Sequence, residues 1–315
     1  MSTPTVNDVQ AVDPILTNML LGYKQNAGRF VAGQLFPAVP VDKDSGTYYI
    51  LDQGPFFTDE MKSRAPGDLF GFSGYKLSST TYTTKQWALA HKIPAEVRAN
   101  SQVPMDLETI AVEWLGQQSL IRKERQFVSD FVAASVWTTQ DNDATTDWDD
   151  YAAGDPVNDI IGGKRAISQL IGQLPNVLAV GEIVDSALRN HPDIIDRLKY
   201  TTAATQMAIE SAMAAVLGID RYLVAMAIYN SSNPAQTASY SAIFDDDALL
   251  LYVAPRPAIF QASAGYTFTW APGGGDGMIE RYYSDELRSD VVRTFEQWDQ
   301  KQVAAGAGAI WLGVV

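Results

Sequence analysis

The sequence contains no cysteine, only two histidines and comparatively few basic residues. Without cysteine, disulfide bonds and thiolate metal sites are excluded. No apolar run approaches the ~18 residues that a membrane-spanning helix requires, and residues 1–14 lack the basic start and apolar core of a secretory signal. These absences indicate a protein of a cell interior, or of something assembled there.

Acidic residues outnumber basic ones by 37 to 23, which gives a formal net charge of −14 at pH 7. Binding to nucleic-acid phosphates requires clustered Lys and Arg, and the densest basic group is only Arg122, Lys123 and Arg125. The charge therefore argues against a protein that grips free DNA or RNA, but it is compatible with a container for DNA. The 315 residues, 46% of them hydrophobic, suffice for two domains or one elaborate domain.

The longest regular pattern covers residues 104–134, where apolar residues recur at steps of three, four and seven. This spacing predicts a long helix of about 42 Å, with Asp106 as its N-cap. Its predicted apolar face consists of Leu107, Ile110, Trp114, Ile121, Val128, Phe131 and Val132. Such a helix is typical of a scaffold, although a core helix of an ordinary domain has the same pattern.

Residues 45–94 are predicted to form a long β-hairpin from strands at 47–51 and 80–93. Its tip is dense in Gly, Pro and aromatic residues. A two-stranded ribbon is marginally stable in water, and an exposed apolar patch usually marks an interface. We therefore predict an inter-subunit contact at the tip; the alternative is a hairpin folded back onto its own domain. The contact residues are Phe56, Phe57, Phe70, Phe72 and Tyr75.

The rest of the chain alternates between helical and strand patterns before it becomes mainly β. A helix is predicted from Asp155 until Pro175 stops it, then a buried strand at 177–181, helices at 182–190, 193–199 and 204–217, and strands at 221–229 and 249–254. From residue 257, β-type segments flank a turn at 272–277, and residues 310–315 are expected to lie buried in a sheet. A short helix at 14–22 precedes all of these.

Few residues point to catalysis or ligand binding. The acidic loop at 138–155 lacks the spacing of a calcium-binding EF-hand, and Asp245, Asp246 and Asp247 are read as a solvated turn. Residues 162–164 lack the first glycine and the Ser or Thr of a phosphate-binding loop. No nucleophile elbow or dinucleotide fingerprint is present. We expect no enzymatic activity, no metal and no cofactor.

Three parts of the chain have a recognisable sequence: residues 36–41 (FPAVPV) with 45–49 (SGTYY), residues 175–181 (PNVLAVG) with 187–192 and 195–200, and residues 290–315. These parts resemble tailed-phage major capsid proteins of the Hong Kong 97-like fold. The resemblance implies an α+β fold with an N-terminal arm at 1–42, an extended β-hairpin loop at 43–95, a peripheral domain with a long spine helix at 96–175, an α/β axial domain at 176–256, and return strands of the peripheral domain at 257–315.

The resemblance further implies self-assembly into hexamers and pentamers of an icosahedral phage head that encloses double-stranded DNA without sequence-specific binding. A separate scaffolding protein, a portal and possibly a decoration protein are the implied partners, with assembly in the host cytoplasm and no membrane. Some members form a lysine–asparagine crosslink, but no motif identifies a partner asparagine for Lys62, Lys76 or Lys85. An encapsulin-like compartment shell is the alternative of the same fold. A hydrolase with an undetected carboxylate pair, or a monomeric binding module, would be a different class.

Overall fold

The computed structural model describes residues 28, 30–51, 54, 57–100, 107–141, 147–198, 206–233, 236–256 and 263–315. The predicted helix at 14–22, Phe56, and residues 104–106 of the predicted long helix lie outside the described residues. The helices are α1 (Ala32–Leu35), α2 (Ala95–Ala99), α3 (Leu107–Phe131), α4 (Pro156–Ile171), α5 (Glu182–Asn190), α6 (Pro192–Leu198) and α7 (Gln206–Leu217). The strands are β1 (Ala38–Val41), β2 (Ser45–Leu51), β3 (Leu77–Thr83), β4 (Lys85–Pro94), β5 (Thr139–Asp141), β6 (Val177–Gly181), β7 (Arg221–Ala225), β8 (Ile228–Asn230), β9 (Tyr240–Ala242), β10 (Ala248–Leu251), β11 (Gly265–Trp270), β12 (Met278–Ser284), β13 (Ser289–Gln302) and β14 (Gly308–Trp311).

The first sheet is organised around β13, a strand of 14 residues. Buried and partly buried residues alternate along most of it, as a strand with one covered face requires. Strand β4 pairs with one edge of β13, while β12 and β11 pair with the other edge, and β1 joins β11 in parallel. Residues 289–302 thus form one continuous strand at the centre of the sheet.

Helix α3 covers this sheet, but its buried face differs from the predicted one. Ala111, Val112 and Leu115 are buried, whereas Ile110 and Trp114 are 38% and 44% exposed. The prediction was wrong at Ile110 and Trp114 because it counted large apolar residues, while close packing against the sheet favours the stripe with the small residues Ala111 and Gly116. It was right further along the helix, where Phe131 is buried and Val128 and Val132 pack against the core. The helix also ends at Phe131, before the predicted end near residue 134.

The predicted hairpin is present, but its second strand is two strands. β2 pairs with β3 in an antiparallel register, and the pairing stops at Thr84. There the backbone N–H and the hydroxyl of Thr84 both donate to the carbonyl of Asp44, at 2.8 and 2.9 Å. Beyond this point β4 pairs with β13. The single strand predicted at 80–93 is therefore wrong, since the chain changes partner at Thr84.

The second sheet has the order β5–β14–β10–β6–β7. The predicted strand at 177–181 is confirmed as β6, whose five residues are all buried, as in strands covered on both faces. Helix α4 packs here through Ile160 and Ile167. The predicted helix start is confirmed, and Asp155 caps α4, since its side chain accepts from the Asn158 amide at 3.0 Å. The helix ends at Ile171, where Gly172 adopts a positive φ of 68°, and not at Pro175.

The C-terminal strand β14 belongs to this second sheet, where it pairs with β10 and β5. Return strands of one peripheral domain were expected throughout 257–315; among the residues described there, β11, β12 and β13 join the first sheet and β14 does not. In the second sheet, Trp311 packs against Trp148 with ring centroids 5.9 Å apart, and its ring lies against Gly163 of α4. The division of the chain into domains remains a prediction.

Candidate assembly surface

The tip of the hairpin carries large apolar side chains that its own chain leaves exposed. Residues 58–76, which we call the tip segment, form neither helix nor strand. The predicted contact residues Phe70, Phe72 and Tyr75 are exposed, Phe72 at 96%. Met61 and Leu69, which the sequence analysis missed, are exposed at 94% and 91%. The same criterion, an apolar side chain in a Gly- and Pro-rich tip, identifies them.

Local contacts give the tip segment some order. The guanidinium of Arg64 lies over the Phe70 ring, 4.1 Å from its centroid, and donates to the carbonyl of Asp68 at 2.6 Å. A turn from Ala65 to Asp68 is closed by a backbone hydrogen bond of 3.2 Å, and Gly67 within it has a φ of 97° that favours glycine.

One predicted contact residue does approach its own domain. The ring of Phe57 lies beside Gly172 at the end of α4, where a Cβ on the glycine would meet it at 3.7 Å. Phe57 is nevertheless 64% exposed. The residue just before the tip segment thus contacts the end of α4, while Phe70 and Phe72 remain 69% and 96% exposed.

The base of the hairpin is fixed to the first sheet. The Tyr82 ring stacks on Phe268 with centroids 4.7 Å apart, and the Tyr48 hydroxyl donates to the carbonyl of Gln302 at 3.3 Å. The pKa of Tyr48 is raised above its usual value of 10.0 by burial and then by the negative charge of Asp299. Asp299 also accepts from the Thr83 amide at 3.0 Å. A firmly held base supports a projecting tip.

An apolar groove lies on the first sheet at the N-terminal end of α3. It has a volume of about 340 Å³ and is lined by residues from β4, α2 and α3. Trp114 forms part of its wall and meets the His91 ring edge-on, with centroids 5.8 Å apart. The groove therefore exposes residues that the sequence assigned to the buried face of α3.

A buried carboxylate on α3 binds the backbone at the start of α1, just before the chain joins the first sheet as β1. Glu124, which is 1% exposed, accepts hydrogen bonds from the amides of Val31 (3.1 Å) and Ala32 (2.9 Å) at the start of α1. Burial raises the pKa of Glu124 from 4.5 to about 7, although these two amides act in the opposite direction. Glu124 thus fastens the start of α1 to α3.

His191, Lys164 and Asp247, which the sequence analysis considered for catalysis or binding or which lie in the segments it considered, make hydrogen bonds within the fold. His191 is buried with its Nε2 3.1 Å from the carbonyl of Gly154. Lys164 lies in α4 and donates to the carbonyls of Leu217 and Gly218 at the end of α7. Asp247 accepts from the Gly313 amide at 3.0 Å, and burial raises its pKa to about 6. Over the ranges that the structure describes, no three His, Asp or Glu residues are grouped to hold a metal ion.

None of the described helices is both long enough and apolar enough to cross a membrane.

The chain is similar over almost its full length to known phage proteins. It is 24% identical over 319 aligned positions to the major capsid protein of Burkholderia phage BcepMu, with 98% of each chain covered. No protein-family model matches it. Among solved structures, it superposes on a phage-related protein from Bordetella bronchiseptica RB50 with a TM-score of 0.74 and 24% identity, covering 98% of this chain and 99% of that one. The capsid of a native GTA particle gives a TM-score of 0.58 at 14% identity, covering 99% and 94%. These similarities confirm the α+β Hong Kong 97-like fold and the resemblance to phage major capsid proteins.

Proposed function

We infer that this chain is the major capsid protein of a phage, a structural subunit that assembles with its own copies into the shell of the head. The observation that carries this inference is similarity to a phage major capsid protein along 98% of both chains. The fold agrees with it. An exposed apolar tip on a firmly held base is the kind of surface that a self-assembling subunit requires.

The finer arrangement rests on the fold resemblance. We propose that the subunits form hexamers and pentamers of an icosahedral shell around double-stranded DNA, in a virion capsid assembled in the host cytoplasm. Repeated modest contacts around closed rings stabilise such a shell through multivalency. The net charge of −14 suits a wall that encloses DNA without gripping it. A separate scaffolding protein, a portal and a decoration protein are proposed partners.

The tip segment supplies the proposed inter-subunit contact. Phe70 and Phe72 would each stabilise an interface by roughly 1.5–3 kcal/mol when fully buried. Phe57 and Tyr75 flank them, and Phe56 lies outside the described residues. Since Phe70 and Phe72 stay 69% and 96% exposed beside the described residues of the single chain, association with a neighbouring copy is the arrangement that removes them from water.

The test is assembly of the Phe70→Ser, Phe72→Ser double variant, followed by electron microscopy and sedimentation. We expect a folded subunit that forms no shells. Tyr240→Ser, which alters an aromatic residue of 69% exposure on β9, is the matched control and should still assemble. Intact shells from the double variant would contradict the tip contact. A wild-type protein that stays monomeric even with a co-expressed scaffolding protein would contradict the capsid function itself.

The contents of the particles separate the phage head from an encapsulin-like compartment. The relative named above is a phage major capsid protein, which does not favour the compartment. We expect nuclease-protected DNA in particles isolated from a productive infection. A packaged enzyme in place of DNA would support the compartment.

A further inference from the structure

The basic group that the sequence analysis noted on α3 divides into two parts in the structure. Lys123 turns to the first sheet, where its ammonium group contacts the carboxylates of Asp276 and Glu296. Arg122 and Arg125 make no ion pair with any residue that the structure describes. A chain with a net charge of −14 therefore leaves two neighbouring cations without a carboxylate partner there.

Each of these two arginines lies on an aromatic ring. The guanidinium carbon of Arg122 is 4.0 Å from the centroid of the Trp87 ring, and that of Arg125 is 4.3 Å from the centroid of the Tyr229 ring. Trp87 in turn stacks on the buried Trp298, with centroids 5.6 Å apart. A ring beneath a planar guanidinium attracts it and leaves the N–H groups at its edge available. The two cations are thus held in place by the fold.

The pair is incompletely satisfied within the chain. Arg122 donates to the side-chain oxygen of Gln126 at 2.6 Å, and the Gln126 amide donates to Asp130 at 2.7 Å. The Nε of Arg122 and the Nε1 of Trp87 have no hydrogen-bond partner among the described residues. Burial and then the like charge of Arg125 lower the pKa of Arg122, while Asp130 acts in the opposite direction. An anion beside the two guanidinium groups would offset this repulsion.

The spacing of the pair suits phosphate groups. Residues three apart on a helix have Cβ atoms about 5–6 Å apart, so both side chains can reach one phosphate or two neighbouring ones. A guanidinium binds a phosphate through two parallel N–H···O bonds. Double-stranded DNA carries one phosphate charge per ~1.7 Å of its axis, so any part of a duplex that reaches the pair offers such a group. Contacts to the backbone carry no sequence information.

The surface beside the pair favours DNA over a protein segment as the ligand. The positions four residues to either side of the two arginines on α3 are Gln118, Gln126, Ile121 and Ser129. Three of these four are polar. A protein–protein interface has an apolar centre, whereas a protein–DNA interface is more polar and depends on cations. The site offers cations and little apolar surface.

We propose that Arg122 and Arg125 of α3 bind backbone phosphates of the double-stranded DNA inside the shell, without reading its sequence. This assignment rests on the proposed function and adds the place at which each copy touches the DNA. Two cations make at most two phosphate contacts, so the logarithm of the affinity of one copy should fall with the logarithm of the salt concentration with a slope of about −1.8. The contact of one copy is weak, and it is repeated over the shell.

Chemical footprinting of arginine in intact particles tests the assignment. DNA-filled particles from an infection and empty shells of the same protein are treated with phenylglyoxal, which modifies arginine, and each site is quantified by mass spectrometry of peptides. We expect modification of Arg122 and Arg125 to be several-fold lower in the filled particles, because phosphates cover them. Arg165, which is exposed on α4, is the internal control and should be modified equally in both.

Each outcome of the footprint decides the assignment. Equal modification of the pair in filled and empty particles would overturn it, whatever the level. A high level in both would show that the pair is open to solvent, and a low level in both would show that protein, such as a second copy, covers it. Particles from a productive infection that hold no DNA would instead contradict the proposed function.

A charge-removing variant tests the same site by its effect on the enclosed DNA. Filled particles of the Arg122→Gln, Arg125→Gln variant are heated with a DNA-binding dye, and the temperature of DNA release is recorded. We expect release at a lower temperature than in the wild type at low salt, with a difference that shrinks as salt screens the contacts.

The control for this variant is Arg165→Gln with Arg221→Gln, which has the same net charge and alters two other exposed arginines. It should release DNA at the temperature of the wild type. An equal lowering in the control would show a general effect of wall charge and would overturn the assignment, as would wild-type release from the Arg122→Gln, Arg125→Gln particles. If that variant forms no particles, the footprint of the wild type still decides.

Discussion

Glu124 should make the subunit less stable as the pH rises from 5 to 8. Its pKa is raised from 4.5 to about 7 by burial, so the folded state binds a proton that the unfolded state has already lost in this range. The contribution of the group to folding is therefore fully present below pH 4.5 and is lost as the pH approaches 7. At about 1.4 kcal/mol per pH unit, the loss between pH 5 and pH 8 is about 3 kcal/mol.

The substitution that isolates this effect is Glu124→Gln. The glutamine is neutral at every pH and keeps a carbonyl oxygen for the amides of Val31 and Ala32. We expect the variant to match the wild type near pH 5 and to exceed it by about 3 kcal/mol at pH 8. The control is Glu113→Gln, which removes a carboxylate from the solvent-facing side of the same helix.

The assay is urea unfolding of dissociated subunits at several pH values, with the free energy of unfolding extrapolated to water. The difference between variant and wild type should grow steadily from pH 5 to pH 7 and then level off. A difference that is independent of pH would refute the reasoning. A wild type that gains stability towards pH 8 would show that the two amide hydrogen bonds outweigh the burial of the charge.

Further predictions concern α4 and the second sheet, and urea unfolding checks each of them. Gly162→Ala should stabilise the protein by up to about 1 kcal/mol, because a Cβ there meets nothing within 4 Å. Gly163→Ala should instead destabilise it by about 1–3 kcal/mol, because the new Cβ would lie 2.6 Å from the Trp311 ring. Asp155→Ala removes the cap of α4 and should cost about 0.5–2 kcal/mol; Asp155→Ser should restore most of this. Asp247→Asn should reduce the loss of stability as the pH rises through 6, since burial raises that pKa to about 6; an unchanged pH profile would contradict it.

Features that depend on neighbouring residues were predictable from the sequence. The strand at 177–181 follows from an unbroken apolar run, and the start of α4 follows from an acidic residue before Pro156. The exposed aromatic residues of the tip follow from the Gly- and Pro-rich sequence around them. In each case the signal and the structure lie within a few residues of each other.

Features that depend on distant residues were not predictable in the same way. The change of partner at Thr84 requires the carbonyl of Asp44, and the side chain of Gln297 also donates to the Thr84 hydroxyl at 3.0 Å. The burial of Glu124 depends on amides 92 and 93 positions away. The groove combines residues of β4, α2 and α3, and no single segment shows it. The spacing of apolar residues identifies α3 as an amphipathic helix, but it does not determine which side of the helix packs against the first sheet.

The direct continuation of β3 into β4 has a mechanical consequence. A pull on the hairpin tip passes down β3, across Thr84, and into a strand that is paired with β13 along ten residues. Force applied along a strand loads its ladder of hydrogen bonds in shear, so that many bonds share the load and none opens first. The same force applied across the strand would open them one after another. The pairing of β4 with β13 therefore resists a pull along β4 more strongly than a pull across it.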